Sequence, residues 1–548
     1  MAETEMNGKE RFLRALEQYE LACYESLKPY EGEIVYSSRH IKRMARIIAR
    51  KPVITRSALN TVAKYAAVFT VATAIAVGGY VSVEAMQNEF FNVVTMPTSM
   101  LEYTLNKEKN AYTVTGIGNM AEGDIVIPPS YNDIPVTAIG EGAFAYNEKI
   151  TSVTVSGGVE KIEIGAFEGC TSLVSVLLPE TVKYIGADAF YSCDALELIS
   201  LPAGLEYLGA SAFKDCTSIK EIFLPAKVAS IGSECFKGCI SLESAELSEG
   251  IEVIGASAFE GCRALSKVSF PESITHIEDK AFYLCGSIES IDVSVQTLGN
   301  EVFGNCNALK EIKIYANEIG TGILRGCEAL EKAHISGATE VVNNMFTSCK
   351  ALKEVTLGEG IKKIGANAFN GCTALEYVAL PEGLESIGAS AFAGSGIIAV
   401  TLPGSVTELG EKAFMGCASL RSAELSDALS ALKYSTFEGC KQLTEVKFGK
   451  NLKIIGESAF SGCSWLKEIS LPQGFEHISK NAFFECIRLR NVYLPESIKF
   501  IAHEAFAGCQ RLEKITYGGT ADMWKNVSKG DYGDGIDTVC RDGTVVSG

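Results

Sequence analysis

The chain has 548 residues, of which 47% are apolar, enough to bury a long core. Its 67 acidic residues outweigh 49 basic ones for a net charge of −18, which argues against nucleic acid as a partner. With five histidines, no Gly-rich phosphate loop, no C-x-x-C pair and no Ser/His/Asp or Cys/His set, no catalytic, cofactor-binding or metal-binding residue stands out.

Residues 1–60 read as a basic tail in two helical pieces. Phe12, Leu16, Tyr19, Cys23 and Leu27 recur at helical spacing until Pro29. Ser38 then caps a second piece, with Ile41, Met44, Ala45 and Ile48 on one side and Arg39, Lys42, Arg43, Arg46 and Arg50 around it. Such a basic amphipathic helix serves as a headgroup anchor or as a docking site for a cytoplasmic partner.

Residues 61–86 are predicted to form a transmembrane helix. Ala66 to Val83 holds 18 residues without a charge, near the lower limit for a span. Eight Lys/Arg and no acid lie from Arg39 to Lys64, while Glu84 and Glu89 follow the apolar run. By the positive-inside rule the N-terminus is cytoplasmic and the rest lies outside the cell. Two other readings stay open: a signal peptide cleaved after Ala85, and a buried helix against the first repeat.

Residues 87–138 read as a connection and a strand-rich cap, from the alternation in Tyr112–Gly116 and Asp124–Pro128. Residues 139–517 then repeat one pattern about seventeen times, I-G-x-x-A-F-x-G-C-x-x-L-x-x-V-x-L-P plus a short connection, as in Ile254–His276 and Ile364–Ser386. A period near 23 residues means a solenoid, because each unit buries its apolar face only against its neighbours. The L-x-x-V-x-L stretch is the strand, stacked in parallel from repeat to repeat. The anchor Phe, from Phe144 to Phe506 with Leu324 in one place, supplies each layer's bulk, and the glycines on either side of it permit tight turns. Residues 518–548 leave the pattern and form the C-terminal cap, with Trp524 over the last layer.

Fifteen of the 18 cysteines stand three residues after the anchor, a place that Asn147 and Ser395 fill in two repeats. Asn, Cys and Ser are all small and able to hydrogen-bond a turn backbone, so a buried thiol ladder is expected. Disulfides are within reach by distance, but parallel in-register side chains do not readily give the torsion a disulfide needs.

This pattern resembles the leucine-rich repeats of the Treponema-type or BspA-like class. The resemblance implies an α/β-type repeat solenoid with a parallel sheet, displayed on a microbial surface and often used for adhesion. In this chain it would follow a single transmembrane helix and a helical N-terminal tail. The segments Tyr36–Ile48 and Ser82–Val94 resemble membrane anchors of Gram-positive gut bacterial proteins, some of them anti-sigma-like, which implies signalling.

On each strand the residues flanking the central Val or Ile face outward, giving a mixed polar face with scattered aromatics. Phe223, Tyr377 and Tyr493 are the candidate binding anchors, since aromatics carry disproportionate binding energy. Anchor spacing falls to 21, 21 and 22 between Phe282 and Phe346, at the expense of the connection after the strand. That bend singles out Lys332 and His334. A second lapse, at residues 393–402, drops one residue and the ladder cysteine. The expected function is non-catalytic cell-surface binding or adhesion, recognising an extracellular protein or glycan. The alternative is a transmembrane regulator in which the solenoid senses and residues 1–60 transmit.

Overall fold

The computed structural model describes residues 100–117, 122–533 and 535–547. The chain divides into two units, Met1–Asn92 and Val93–Gly548, and all described residues belong to the second. The tail expected at 1–60 and the span expected at 66–83 lie outside the described residues. Among the described residues no helix is long and apolar enough to cross a membrane.

Outside the shortened repeats, each repeat makes one three-sided turn. The first face is built from V-x-L strands such as Glu221–Leu224, Ser244–Leu247 and Lys267–Ser269, paired in parallel and in register. The second face is built from two-residue strands ahead of the leading glycine, such as Tyr184–Ile185, Tyr207–Leu208, Ser230–Ile231 and Val253–Ile254. On the third side, the anchor stretch, each Phe amide donates to the carbonyl one repeat on, as from Phe167 to Ala189 at 2.8 Å.

No helix occurs within the repeats among the described residues; Ala521–Lys525, near the C-terminus, is helical. The α/β-type expectation is therefore corrected to a parallel β-solenoid of about 18 turns. The cause is local. Each repeat places left-handed residues two before and two after the anchor, as Ser257 (φ 55) and Gly261 (φ 76) do around Phe259. A right-handed helix cannot run through such a pair.

The two glycines flanking the anchor do different work. The trailing one supplies positive φ, as at Gly261 and Gly462. The leading one permits close approach of successive turns: a Cβ on Gly232 would sit 2.6 Å from the Gly209 backbone, and one on Gly255 equally close to the Ile231 carbonyl.

Inside, the anchor rings form a ladder. Successive Phe centroids lie 4.9 Å apart at Phe144–Phe167 and 5.7 Å apart at Phe282–Phe303, with planes within 18° of parallel. Leu324 interrupts the ladder while remaining fully buried.

At the shortened spacing, strands Ser290–Leu298 and Glu311–Ile319 run nine residues without a corner. The residues lost from the connection are those that elsewhere turn the chain from the first face to the second. These long strands join the two faces into one 14-stranded sheet.

At the N-terminal end, Leu101–Leu105 and Tyr112–Ile117 form an antiparallel hairpin, whose second strand pairs in parallel with Ile134–Ile139. At the other end, Asp537–Cys540 pairs in parallel with Lys514–Tyr517 and antiparallel with Val545–Val546. Trp524 is buried there, its ring centroid 4.9 Å from that of Tyr517. Hairpins at both ends limit further strand addition.

Because each turn contacts only its neighbours, damage should stay local. Phe369→Ala removes one rung and is expected to cost about 3–5 kcal/mol. Hydrogen exchange should show the loss in the turns of Phe346 to Phe392 and leave amides near Phe190 protected as before.

Candidate ligand-binding face

Alternation along each first-face strand buries the central residue and exposes its two neighbours. Glu221–Leu224 shows it: Ile222 and Leu224 are buried, Glu221 and Phe223 exposed. Stacking in register turns these exposed positions into columns. One runs from Glu221 through Ser290, Glu311, Lys332 and Glu354, and the 23-residue period carries it to Tyr377. The other holds Phe223, Asp292, Lys313, His334 and Thr356, and reaches Tyr493.

The five predicted site residues all point outward but do not converge. Phe223 is 50% exposed and Tyr377 67% exposed. Phe223 stands five turns from His334, roughly 24 Å at the usual strand spacing. Tyr493 is half-buried, and a Cβ on Gly518 in the next turn would lie 2.9 Å from its hydroxyl. Lys332 and His334 do share a strand, Lys332–Ser336. The Lys332 ammonium is 3.2 Å from the Glu354 carboxylate, a solvent-exposed pair worth about 1 kcal/mol at most.

One aromatic in this cluster is absent from the sequence-derived set. Tyr315 is 42% exposed, with its ring centroid 5.4 Å from that of His334. It belongs to a third outward column, with Ser294 and Ser336, present where the nine-residue strands continue past the normal corner. The 21-residue spacing was the signal that pointed to it. Asp292, Lys313, Tyr315, Lys332 and His334 thus share one continuous, flat, polar surface. Charge along the face is paired between turns, as in Lys447 with Glu424, so neither sign dominates.

Behind the anchors the cysteines form their own ladder. All fifteen donate their thiol to the carbonyl of the preceding turn's anchor residue, from Cys170 to Phe144 at 3.1 Å through Cys509 to Phe483 at 3.1 Å. Asn147 takes the place of a thiol at the start, its side-chain oxygen accepting from the Lys149 and Ile150 amides. Burial pushes Cys170, Cys327 and Cys372 up to about 12. Beside the Ser395 interruption, Cys417 is drawn down by hydrogen bonding, first with the Cys440 thiol and then with Ser395. No three His, Cys, Asp or Glu side chains gather as a metal site among the described residues.

A family model described as the BspA type leucine rich repeat region matches residues 137–245, 229–353, 339–464 and 407–526. The chain belongs to that family of repeat proteins. Among solved structures it is similar to a leucine-rich repeat protein from Bacteroides ovatus, at 28% identity and a TM-score of 0.50, over 73% of this chain and 95% of that one. A leucine rich cell surface protein from Faecalibacterium prausnitzii is 23% identical, with a TM-score of 0.36, over 79% and 97% of the two chains. The pneumococcal vaccine antigen PcpA is 19% identical, with a TM-score of 0.36, over 80% and 97%. No curated protein matches the sequence.

The ladder thiols that burial pushes up, Cys170, Cys327 and Cys372 among them, should resist alkylation at pH 8 in the folded protein and react readily in denaturant. For Cys170, Cys327 and Cys372 the raised folded pKa has a stability consequence of fixed sign. The contribution is complete below the ordinary thiol value of 9.0 and is lost as pH rises towards about 12. Urea midpoints measured across that window should fall steadily.

Proposed function

We propose that this chain is a non-catalytic binding or adhesion protein of the cell surface, recognising an extracellular protein or glycan through the first face of its solenoid. The observation that carries the proposal is the continuous surface around Tyr315, His334 and Lys332. A flat face of exposed aromatic and polar side chains suits recognition by many contacts, with the aromatics as the strongest of them. Membership of the BspA-type family supports a binding role. The basic run before residues 66–83 supports an outward orientation of the repeats.

Anchorage through residues 66–83, and a cytoplasmic partner for residues 1–60, belong to the same proposal. If the tail transmits a signal, deleting residues 1–60 should abolish the phenotype while leaving ligand capture unchanged.

Two measurements test the core reading. In intact cells carrying a tag at each end, external protease should remove the C-terminal tag and spare the N-terminal one; protection of both would end the surface assignment. Cells displaying the chain should also adhere to one or more members of a panel of immobilised glycans and extracellular proteins. Tyr315→Ala and Tyr377→Ala should each weaken that adhesion about tenfold, equivalent to about 1.4 kcal/mol. Unchanged adhesion in both variants would remove the first face as the contact surface.

A further inference from the structure

Where the anchor stretch turns into the first face, the chain passes a corner of pattern C-x-x-L. The residue just ahead of its Leu is Ala or Ser in each Cys corner from Cys170 to Cys417. The last four turns abandon that rule with Gln442, Trp465, Arg488 and Arg511, spaced 23 residues apart. Core packing does not call for them, since Trp465 is 46% exposed and Arg511 is exposed as well. The Arg488 guanidinium carbon lies 3.8 Å from the centre of the Trp465 ring, a stack that holds the planar fork in one orientation.

The neighbouring column departs from the rule in the same turns. Through the middle of the solenoid the residue after the corner Leu alternates in sign and pairs between turns. Lys220 meets Glu197 at 2.6 Å, Lys310 meets Glu289 at 3.1 Å and Lys353 meets Glu331 at 3.0 Å. In the turns of Phe460 and Phe483 this position holds two cations, Lys467 and Arg490, and the Arg490 amide donates to the Lys467 carbonyl at 2.8 Å. Both side chains are exposed. Neither they nor Arg511 make an ion pair or side-chain hydrogen bond among the described residues. Like charges on adjacent turns, with backbones about 4.8 Å apart, repel unless a countercharge is supplied.

Residues 464–468, 487–491 and 510–514 together hold five cations against two carboxylates, on a chain whose net charge is −18. One of the two, Glu468, stands 3.5 Å from the Asn491 side-chain amide; the other, Glu513, ends the column of Lys467 and Arg490. Charge is screened beyond about 8 Å at physiological salt, so a ligand at this corner meets the local excess and not the total.

We infer that this corner of the last turns binds an acidic polysaccharide, one bearing sulfate or carboxylate groups on successive sugars. Lys467 with Arg490, and Arg488 with Arg511, form two columns of cations that take successive anionic groups along the stacking direction. The ligand brings the countercharge that the chain itself withholds. Guanidinium forks hold sulfate or carboxylate by two parallel hydrogen bonds. The exposed part of the Trp465 ring offers an apolar contact to the C–H face of a sugar. A single-stranded nucleic acid calls for several aromatic platforms for successive bases, and Trp465 is the only aromatic in the three stretches.

The corner is separate from Tyr315 and Tyr377 and does not need them, so the two readings fail separately. The test is fluorescence anisotropy on the full-length protein, in a neutral detergent where solubility demands it. The probes are labelled hexasaccharides of heparin and of galacturonate, neutral maltohexaose and a thymidylate hexamer. At least one acidic hexasaccharide should bind, and more weakly as salt is raised. Arg490→Glu should weaken that binding about tenfold, and Trp465→Ala, which frees the Arg488 guanidinium, about fivefold. Lys310→Glu makes an equal change of net charge in the same column and should leave binding intact. Thermal melts identify any variant that has lost its fold, and the wild-type titrations stand without the variants. Absence of binding by both acidic hexasaccharides, equal binding of maltohexaose, or equal loss in Arg490→Glu and Lys310→Glu would overturn the proposal. A thymidylate hexamer bound as tightly as the acidic sugars would overturn it too and assign the corner to nucleic acid.

Discussion

The constraint on which the rest of this solenoid depends is the distance from one turn to the next, about 5 Å on all three sides at once. It is set by backbone hydrogen bonding on the two strand faces and along the anchor stretch, and the packing inside has to agree with it. The phenylalanine rings agree by lying nearly parallel at 4.9 Å where the ladder begins. The leading glycines agree by omission, because a side chain at Gly209 or Gly232 would collide with the backbone of the turn before. A group that fits this spacing in one turn fits it in every turn, which is why a single sequence pattern recurs over most of the chain.

The cysteines follow from the same spacing. A thiol three residues past the anchor reaches the anchor carbonyl of the preceding turn and gives it a second donor, as the Phe236 carbonyl accepts both the Cys239 amide of its own turn and the Cys262 thiol of the next. Burial keeps the thiol neutral, and the neutral thiol is the form that donates, so desolvation and hydrogen bonding favour the same protonation state. A thiolate ligand or a disulfide in this place would remove that second donor and leave the carbonyl with the amide of its own turn. The ladder is thus a structural element whose composition says little about the redox state of its compartment.

Much of this was legible in the chain itself, for a physical reason. The period of Ile254–His276 gives the turn, the alternation in Leu265–Phe270 gives the strand, and the interruption at Leu324 can be read directly. The sides of the turn were harder. A-F-x-G-C carries no mark that distinguishes a helical return from a hydrogen-bonded turn, since Ser257 and Leu284 adopt positive φ without being glycine. Tyr315 escaped selection because its outward position exists only where the corner has been deleted, and a two-residue deletion states a length without stating which side grows.

Regularity and recognition therefore occupy different residues in this protein. Inward positions answer to the next turn and are nearly invariant from repeat to repeat: Phe, Cys, Leu, Ile. Outward positions answer only to solvent, and the columns they form vary freely. Even so, a perfectly regular solenoid would present no distinct place to bind. Distinct places arise where the period is broken or a column changes size. Two residues lost after Val293 open the surface that carries Tyr315. There the repeat supplies the geometry and the local departure from it supplies the site, so ligand specificity should be sought at the irregular turns.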